Sequence, residues 1–135
     1  MYQKIIIVGN LGRDPEMRYT PSGQPVTNFS VATNRRWTNA DGTPGEETIW
    51  FRVTAWRRMA EVCNQYLSKG QQVFVEGRLR PDPETGGPRV WTRQDGTAGA
   101  SFEITASTVK FLGGRAEGAA AGPEEEAIEE GEIPF

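Results

Sequence analysis

Residues 48 to 58, Thr-Ile-Trp-Phe-Arg-Val-Thr-Ala-Trp-Arg-Arg, alternate so strictly that they admit little except a β-strand with two unlike faces. A strand turns successive side chains to opposite sides. Ile49, Phe51, Val53 and Ala55 therefore share one face, and Thr48, Trp50, Arg52, Thr54, Trp56 and Arg58 share the other. The first is an ordinary core face. The second would be polar if it met only water, yet it interleaves tryptophans with arginines, and apolar area of that size is seldom left exposed without a use. Two coverings fit: a second sheet or subunit over the rings, or flat ligands stacked on them beside cationic groups.

The rest of the chain supplies further strands. Lys4 to Leu11 is an apolar run rich in β-branched residues, which predicts a strand buried on both sides, in a barrel interior or a subunit contact. Met17-Arg18-Tyr19 can add a short strand before the Pro21-Ser22-Gly23 turn. A second long strand runs from Val26 to about Trp37, with Phe29 and Val31 on one side and Asn28 and Ser30 on the other. Strict alternation puts Trp37 with Phe29 and Val31, so either a bulge re-aims it or it lies beyond the sheet edge. The loop at 39–45 joins this strand to the opening stretch as a long hairpin.

After Arg58 the period changes to that of a helix. Met59, Val62, Cys63, Tyr66 and Leu67 form one apolar stripe, and Lys69-Gly70 predicts a basic last turn and a stop. Val73, Val75 and Leu79 then alternate with Phe74, Glu76, Arg78 and Arg80 in a fourth strand. The segment 81–88 reads as an irregular, Pro-rich connection to Arg89-Val90-Trp91-Thr92-Arg93, another tryptophan with basic neighbours. A last strand, from Ser101 to Leu112, puts Phe102, Ile104 and Ala106 on one face. The order is strand, strand, strand, helix, strand, strand. It predicts an all-β, five-stranded Greek-key barrel of the OB-fold type, with one helix between strands 3 and 4 and long hairpin loops.

Composition narrows the chemistry. The single cysteine, Cys63, and the absence of histidine exclude a disulfide framework and a zinc cluster, and place the thiol on the core stripe rather than at a reaction centre. No apolar run is long enough to cross a bilayer, and the N-terminus lacks a signal-peptide pattern, which reads as a reducing, cytoplasmic compartment. An enzyme such as a nuclease would need histidine, a phosphate-cradling glycine loop or clustered metal-binding carboxylates, none of which is evident, and no cofactor is implied. Asn28-Phe29-Ser30 matches a glycosylation sequon inside a predicted strand and is taken as chance.

The net charge of −3 hides an uneven distribution. Residues 1–115 carry all 15 Lys and Arg against 11 acids, a charge of +4, while residues 116–135 carry the other 7 acids and no base, a charge of −7. Low hydrophobicity and high charge predict a disordered tail over 116–135, distinct from a domain over 1–115. It ends on Ile133-Pro134-Phe135 after Glu132. A terminal Phe with its carboxylate suits an apolar pocket rimmed by basic residues, with the glutamates steering encounter. The tail is also expected to fold back on the basic groove as a weak competitor.

Five motifs, in order, carry a resemblance: residues 7–16, Ile-Val-Gly-Asn-Leu-Gly-Arg-Asp-Pro-Glu; Trp50-Phe51-Arg52-Val53; Tyr66-Leu67-Ser68-Lys69-Gly70; Val75-Glu76-Gly77-Arg78-Leu79; and Ile133-Pro134-Phe135. Together they resemble the bacterial single-stranded DNA-binding protein family. The resemblance implies sequence-independent binding and protection of single-stranded DNA during replication, recombination and repair, in a nucleoid-associated homotetramer. It implies base-stacking roles for Trp37, Trp50, Trp56 and Trp91, basic contacts from Lys4, Arg52, Arg58 and Lys69, and recruitment of partner enzymes through Glu132, Ile133, Pro134 and Phe135. Two departures stand out: the acids before Ile133 are Glu where the family favours Asp, with Gly131 among them, and the tail is short. An RNA-binding OB module is the alternative, which the tail disfavours.

Overall fold

The computed structural model describes residues 1–113 and the short segment Ala127–Glu129. The elements are β1 (Ile5–Leu11), β2 (Glu16–Tyr19), β3 (Pro25–Thr38), β4 (Pro44–Trp56), α1 (Arg57–Tyr66), β5 (Gln72–Leu79), β6 (Arg89–Thr92), β7 (Ala98–Phe111) and β8 (Ala127–Glu129). Five of them, β1, β3, β4, β5 and β7, close a barrel. The path runs β1-β5-β7-β4-β3, and β3 returns to β1 through Asn10↔Ala32 and Leu11↔Val31. All of these pairings are antiparallel except β4 with β7, which run parallel over Phe51↔Phe102 to Thr54↔Thr105. Closure leaves the five strands without a free sheet edge along most of their length.

The core is the set of inward residues that alternation selects: Phe29 and Val31 from β3, Phe51, Val53 and Ala55 from β4, Val73 and Val75 from β5, Ile104 and Ala106 from β7. Helix α1 plugs one end with Met59, Val62 and Cys63. Its seating is fixed by a buried hydrogen bond in which Thr27 Oγ1 donates to the Ala60 carbonyl at 2.7 Å. Arg57, the junction between β4 and α1, takes φ 60°, the one non-glycine residue in the left-handed region among those described. Gly9 sits where β1 crosses β3 so closely that a Cβ would lie 2.1 Å from the Ala32 carbonyl oxygen, so no side chain fits.

The first strand meets the barrel interior on one face: Ile7 and Leu11 point inward, while Ile6 and Val8 are exposed in the single chain. Several expectations are corrected. The helix stops at Tyr66 with no base in its last turn, because Leu67 already has extended backbone; Lys69 lies beyond it. Leu79 is exposed although it keeps the inward parity of Val73, Val75 and Gly77 and lies opposite the buried Ile104, because it is the last residue of β5, at the end of the barrel. Phe102 is exposed as well, its ring tilted 5.9 Å from that of Phe51. The Pro-rich connection is folded, with Gly86 N–H donating to the Asp82 carbonyl at 2.8 Å and Asp82 N–H to the Gly87 carbonyl at 2.8 Å. The short segment Ala127–Glu129 pairs antiparallel with β7 as β8, at Thr108 to Lys110, beyond the last β4 partner; the rest of the tail expected to be disordered lies outside the described residues. The tip residues Glu132, Ile133, Pro134 and Phe135 lie outside the described residues.

Candidate nucleic-acid interface

The outer face of β3, β4 and β7 follows directly from the pairing register. Ser30 lies opposite Arg52, which lies opposite Glu103; Asn28 lies opposite Thr54, which lies opposite Thr105; Ala32 lies opposite Trp50. Thr54 is buried on this face because its hydroxyl donates to Asn28 Oδ1 at 2.9 Å, which ties the two strands together below the aromatic layer.

Trp50 is 52 % exposed at one end of this face. The edge of its six-membered ring packs against Gly12, where a Cβ would come within 2.5 Å of Cζ3 and 2.7 Å of Cη2. The same device recurs at two other tryptophans. Trp37 lies on its cross-strand partner Gly45, whose Cβ would meet Cε2 at 2.3 Å, and Trp91 lies on its partner Gly99, whose Cβ would meet the ring at 2.8 Å. In each case the glycine removes the side chain that would tilt the ring away from the backbone.

Trp37 stays on the side that alternation gives it. The β3–β4 ladder continues unbroken from Val26↔Trp56 to Thr38↔Pro44, so no bulge re-aims the ring. It lies on a hairpin arm beyond the barrel, where the nominal inner side meets solvent. Arg35 stacks on it at 4.5 Å from the ring centroid, and its Nε1 donates to Asn39 Oδ1 at 2.9 Å. Both hairpin arms end in the same Asp-Gly-Thr turn. Asp41 Oδ1 accepts from Thr43 N–H and Oγ1, Asp95 Oδ1 accepts likewise from Thr97, and Gly42 and Gly96 supply φ near 90°. The Thr43 and Thr97 hydroxyls, and then their amides, hold the two carboxyls below the usual range.

The arginines sort by partner. Arg13, Arg18, Arg52 and Arg80 form no ion pair with any described residue, and they line the grooves beside Trp50 and Trp56. Trp56 is half-buried in a groove with Arg18, Tyr19, Arg52, Arg80 and Arg89. Of the basic residues picked from sequence, Arg52 lies at the centre of this surface. Arg58 is exposed on the first turn of α1, 4.0 Å from Glu61. Lys69 follows the helix, its backbone N–H donating to Asp14 Oδ1 at 2.8 Å. Lys4 is elsewhere: it pairs with Glu76 on the outer side of β1 and β5, and that carboxylate raises its pKa. Sequence reasoning missed Arg13, Arg18, Tyr19, Arg80 and Arg89. Arg80 and Arg89 flank the Pro-rich loop, and only folding brings them over β4.

No group of three or more His, Cys, Asp or Glu placed to hold a metal ion occurs among the described residues. No helix among them is long and apolar enough to cross a membrane.

Residues 2–112 match the model of the single-strand binding protein family. The chain belongs to that family. The single-stranded DNA-binding protein of Neisseria meningitidis serogroup A is 42 % identical over 123 residues, 91 % of this chain and 67 % of that protein. Its counterpart from Xanthomonas axonopodis pv. citri is 44 % identical over 115 residues, 85 % of this chain and 60 % of that protein. The chain thus spans about two thirds of the length of these relatives. Among solved structures, the Plasmodium falciparum SSB complex with ssDNA aligns with a TM-score of 0.63 and 26 % identity, over 78 % of this chain and 86 % of that one. The small single-stranded DNA-binding protein from Streptomyces coelicolor aligns at 0.64 and 28 %, over 85 % and 95 %.

Proposed function

We propose that this member of the single-strand binding family binds single-stranded DNA without a sequence requirement and shields it during replication, recombination and repair. It acts as a binding protein and not as an enzyme, as the names of its relatives indicate. The observation that carries the reading is the pair of exposed indoles packed against glycines, Trp50 against Gly12 and Trp91 against Gly99, beside arginines that form no ion pair with a described residue. Each base stacked on such a ring contributes about 1–3 kcal/mol whatever its identity, because every base has a π-face. Arg13, Arg18, Arg52 and Arg80 supply the phosphate contacts, Trp56 lies within the groove they form, and Arg58 and Lys69 extend the basic path. Trp37 joins once Arg35 swings off its ring. A duplex hides its base faces, so the same surface rejects it.

A second copy of the chain covers the row of exposed Ile6 and Val8 and half-buried Phe74 on the outer side of β1 and β5, where Val8 lies opposite Phe74. Burial of those side chains favours an oligomer, a tetramer by analogy with the family, over which a strand wraps. The terminal Ile133-Pro134-Phe135 with Glu132 recruits partner enzymes by inserting an aromatic and a carboxylate into a basic-rimmed pocket.

Titration of tryptophan fluorescence with poly-dT at several salt concentrations, with light-scattering mass on the same sample, tests the reading. Saturable quenching is expected, with log affinity falling by about 0.7 per phosphate contact per log unit of salt. Absence of quenching, or equal affinity for duplex, refutes it.

A further inference from the structure

One acid is embedded in the surface just described. Glu103 has only 4 % of its side chain exposed, yet it opens into the cavity of about 400 Å³ whose walls include Trp50, Trp91, Arg52 and Arg89. Its Oε2 accepts from Ser101 Oγ at 2.9 Å and faces Arg89 Nη1 at 3.8 Å. Its Oε1 accepts no hydrogen bond from any described residue. A carboxylate so placed repels phosphates, and a buried acceptor left without a donor is costly. The position makes sense where a bound group supplies that donor.

We propose that Glu103 forms the floor of a base-edge subsite: a base entering between Trp50 and Trp91 turns its Watson–Crick edge down and donates an N–H to the open carboxylate oxygen. An ionised carboxylate only accepts. Cytosine and adenine present an exocyclic amine, and guanine presents adjacent ring and exocyclic N–H groups. Thymine presents one N–H between two carbonyl oxygens, which face the carboxylate unfavourably. Carboxylate acceptance from the cytosine amine is an established pairing in duplex readout, and unstacked bases in single strands expose the same edge. This step therefore adds a local preference, against thymine, to stacking that tolerates every base. The inference rests on the single-strand-binding reading above.

The test uses the full chain and three oligonucleotides of one length: oligo-dT, oligo-dC, and an oligomer of 2-pyrimidinone, which is cytosine lacking only its exocyclic amine. The wild type is expected to bind oligo-dC about fivefold or more tightly than the pyrimidinone strand, the lower end of what one good base-edge contact confers. In E103Q the amide both accepts weakly and donates, so that ratio shrinks and affinity for oligo-dT rises relative to oligo-dC. E103A, where its melting temperature shows that it folds, brings the dC to pyrimidinone ratio to one. Equal binding of dC and pyrimidinone by the wild type overturns the inference, as does an E103Q effect of the same factor on all three strands, which marks a purely structural or charge role. Failure of the wild type to bind even oligo-dT overturns the underlying function instead.

Discussion

The perturbation that most directly probes the interface is Gly12→Ala. The backbone at Gly12 lies outside the left-handed region, so alanine is conformationally allowed there and should change stability by no more than about 1 kcal/mol in either direction. The space above it is another matter. An added Cβ would stand 2.5 Å and 2.7 Å from two carbons of the Trp50 ring, whereas ordinary contact begins near 3.4 Å. The ring must therefore move by about 1 Å or tilt, and the position it offers to an incoming base changes with it. If the stacked base is lost completely, affinity falls by about 1–3 kcal/mol, or roughly fivefold to a hundredfold. A tilted ring gives the lower part of that range. The assay pairs thermal unfolding with fluorescence titration by oligo-dT, and Gly87→Ala serves as control, since a Cβ there meets only Thr85 Oγ1 at 3.6 Å. An unchanged melting temperature with at least about fivefold weaker binding and a shifted tryptophan emission is the expected result. Wild-type affinity in Gly12→Ala, or an affinity loss that merely tracks a fall in stability, refutes the idea that the glycine sets the ring.

Gly45→Ala and Gly99→Ala should act in the same way on Trp37 and Trp91, with the Gly45 change smaller in effect because Arg35 already stacks on that ring; oligo-dT titration ranks them. The Asp-Gly-Thr turns predict a pH signature. Both aspartates titrate below their ordinary value of 3.8, so their stabilisation of the arms is complete above that value and is lost as pH falls through the lowered one; the Thr43 and Thr97 amide resonances should hold steady down to about pH 4 and shift only below it. Cys63 is buried on α1, and burial pushes its thiol far up, so a thiol-directed alkylating agent should fail to modify the native protein at pH 8 and react once it is unfolded. Thr27→Val removes the donor to the Ala60 carbonyl at one end of the barrel and should cost about 1 kcal/mol in denaturant unfolding, with DNA affinity unchanged.

The sequence by itself determined the strands, the helix and the identity of the aromatic residues, because those rest on local periodicity. Ile49, Phe51, Val53 and Ala55 point inward as the alternation of residues 48–58 requires, and Trp50 stands open on the opposite face. Periodicity assigned the side of a residue but not its depth. Leu79 keeps the parity of Val73 and Val75 yet lies at the end of β5, outside the core, and the outer side of β1 stayed bare because nothing within one chain covers it.

Only the tertiary structure decided which residues share a surface. Gly12 and Trp50 are 38 positions apart, as read from their numbers, and no local pattern pairs them; the barrel does, by carrying the end of β1 beneath β4. Glu103 reads in sequence as one polar residue of a strand, and becomes the floor of an aromatic-walled cavity because β7 runs parallel to β4 with Arg52 as its neighbour. Local propensity fixes what each segment becomes. Ring orientation, charge pairing and the shape of a binding surface arise from contacts between segments distant in the chain, and these exist only once the barrel has closed.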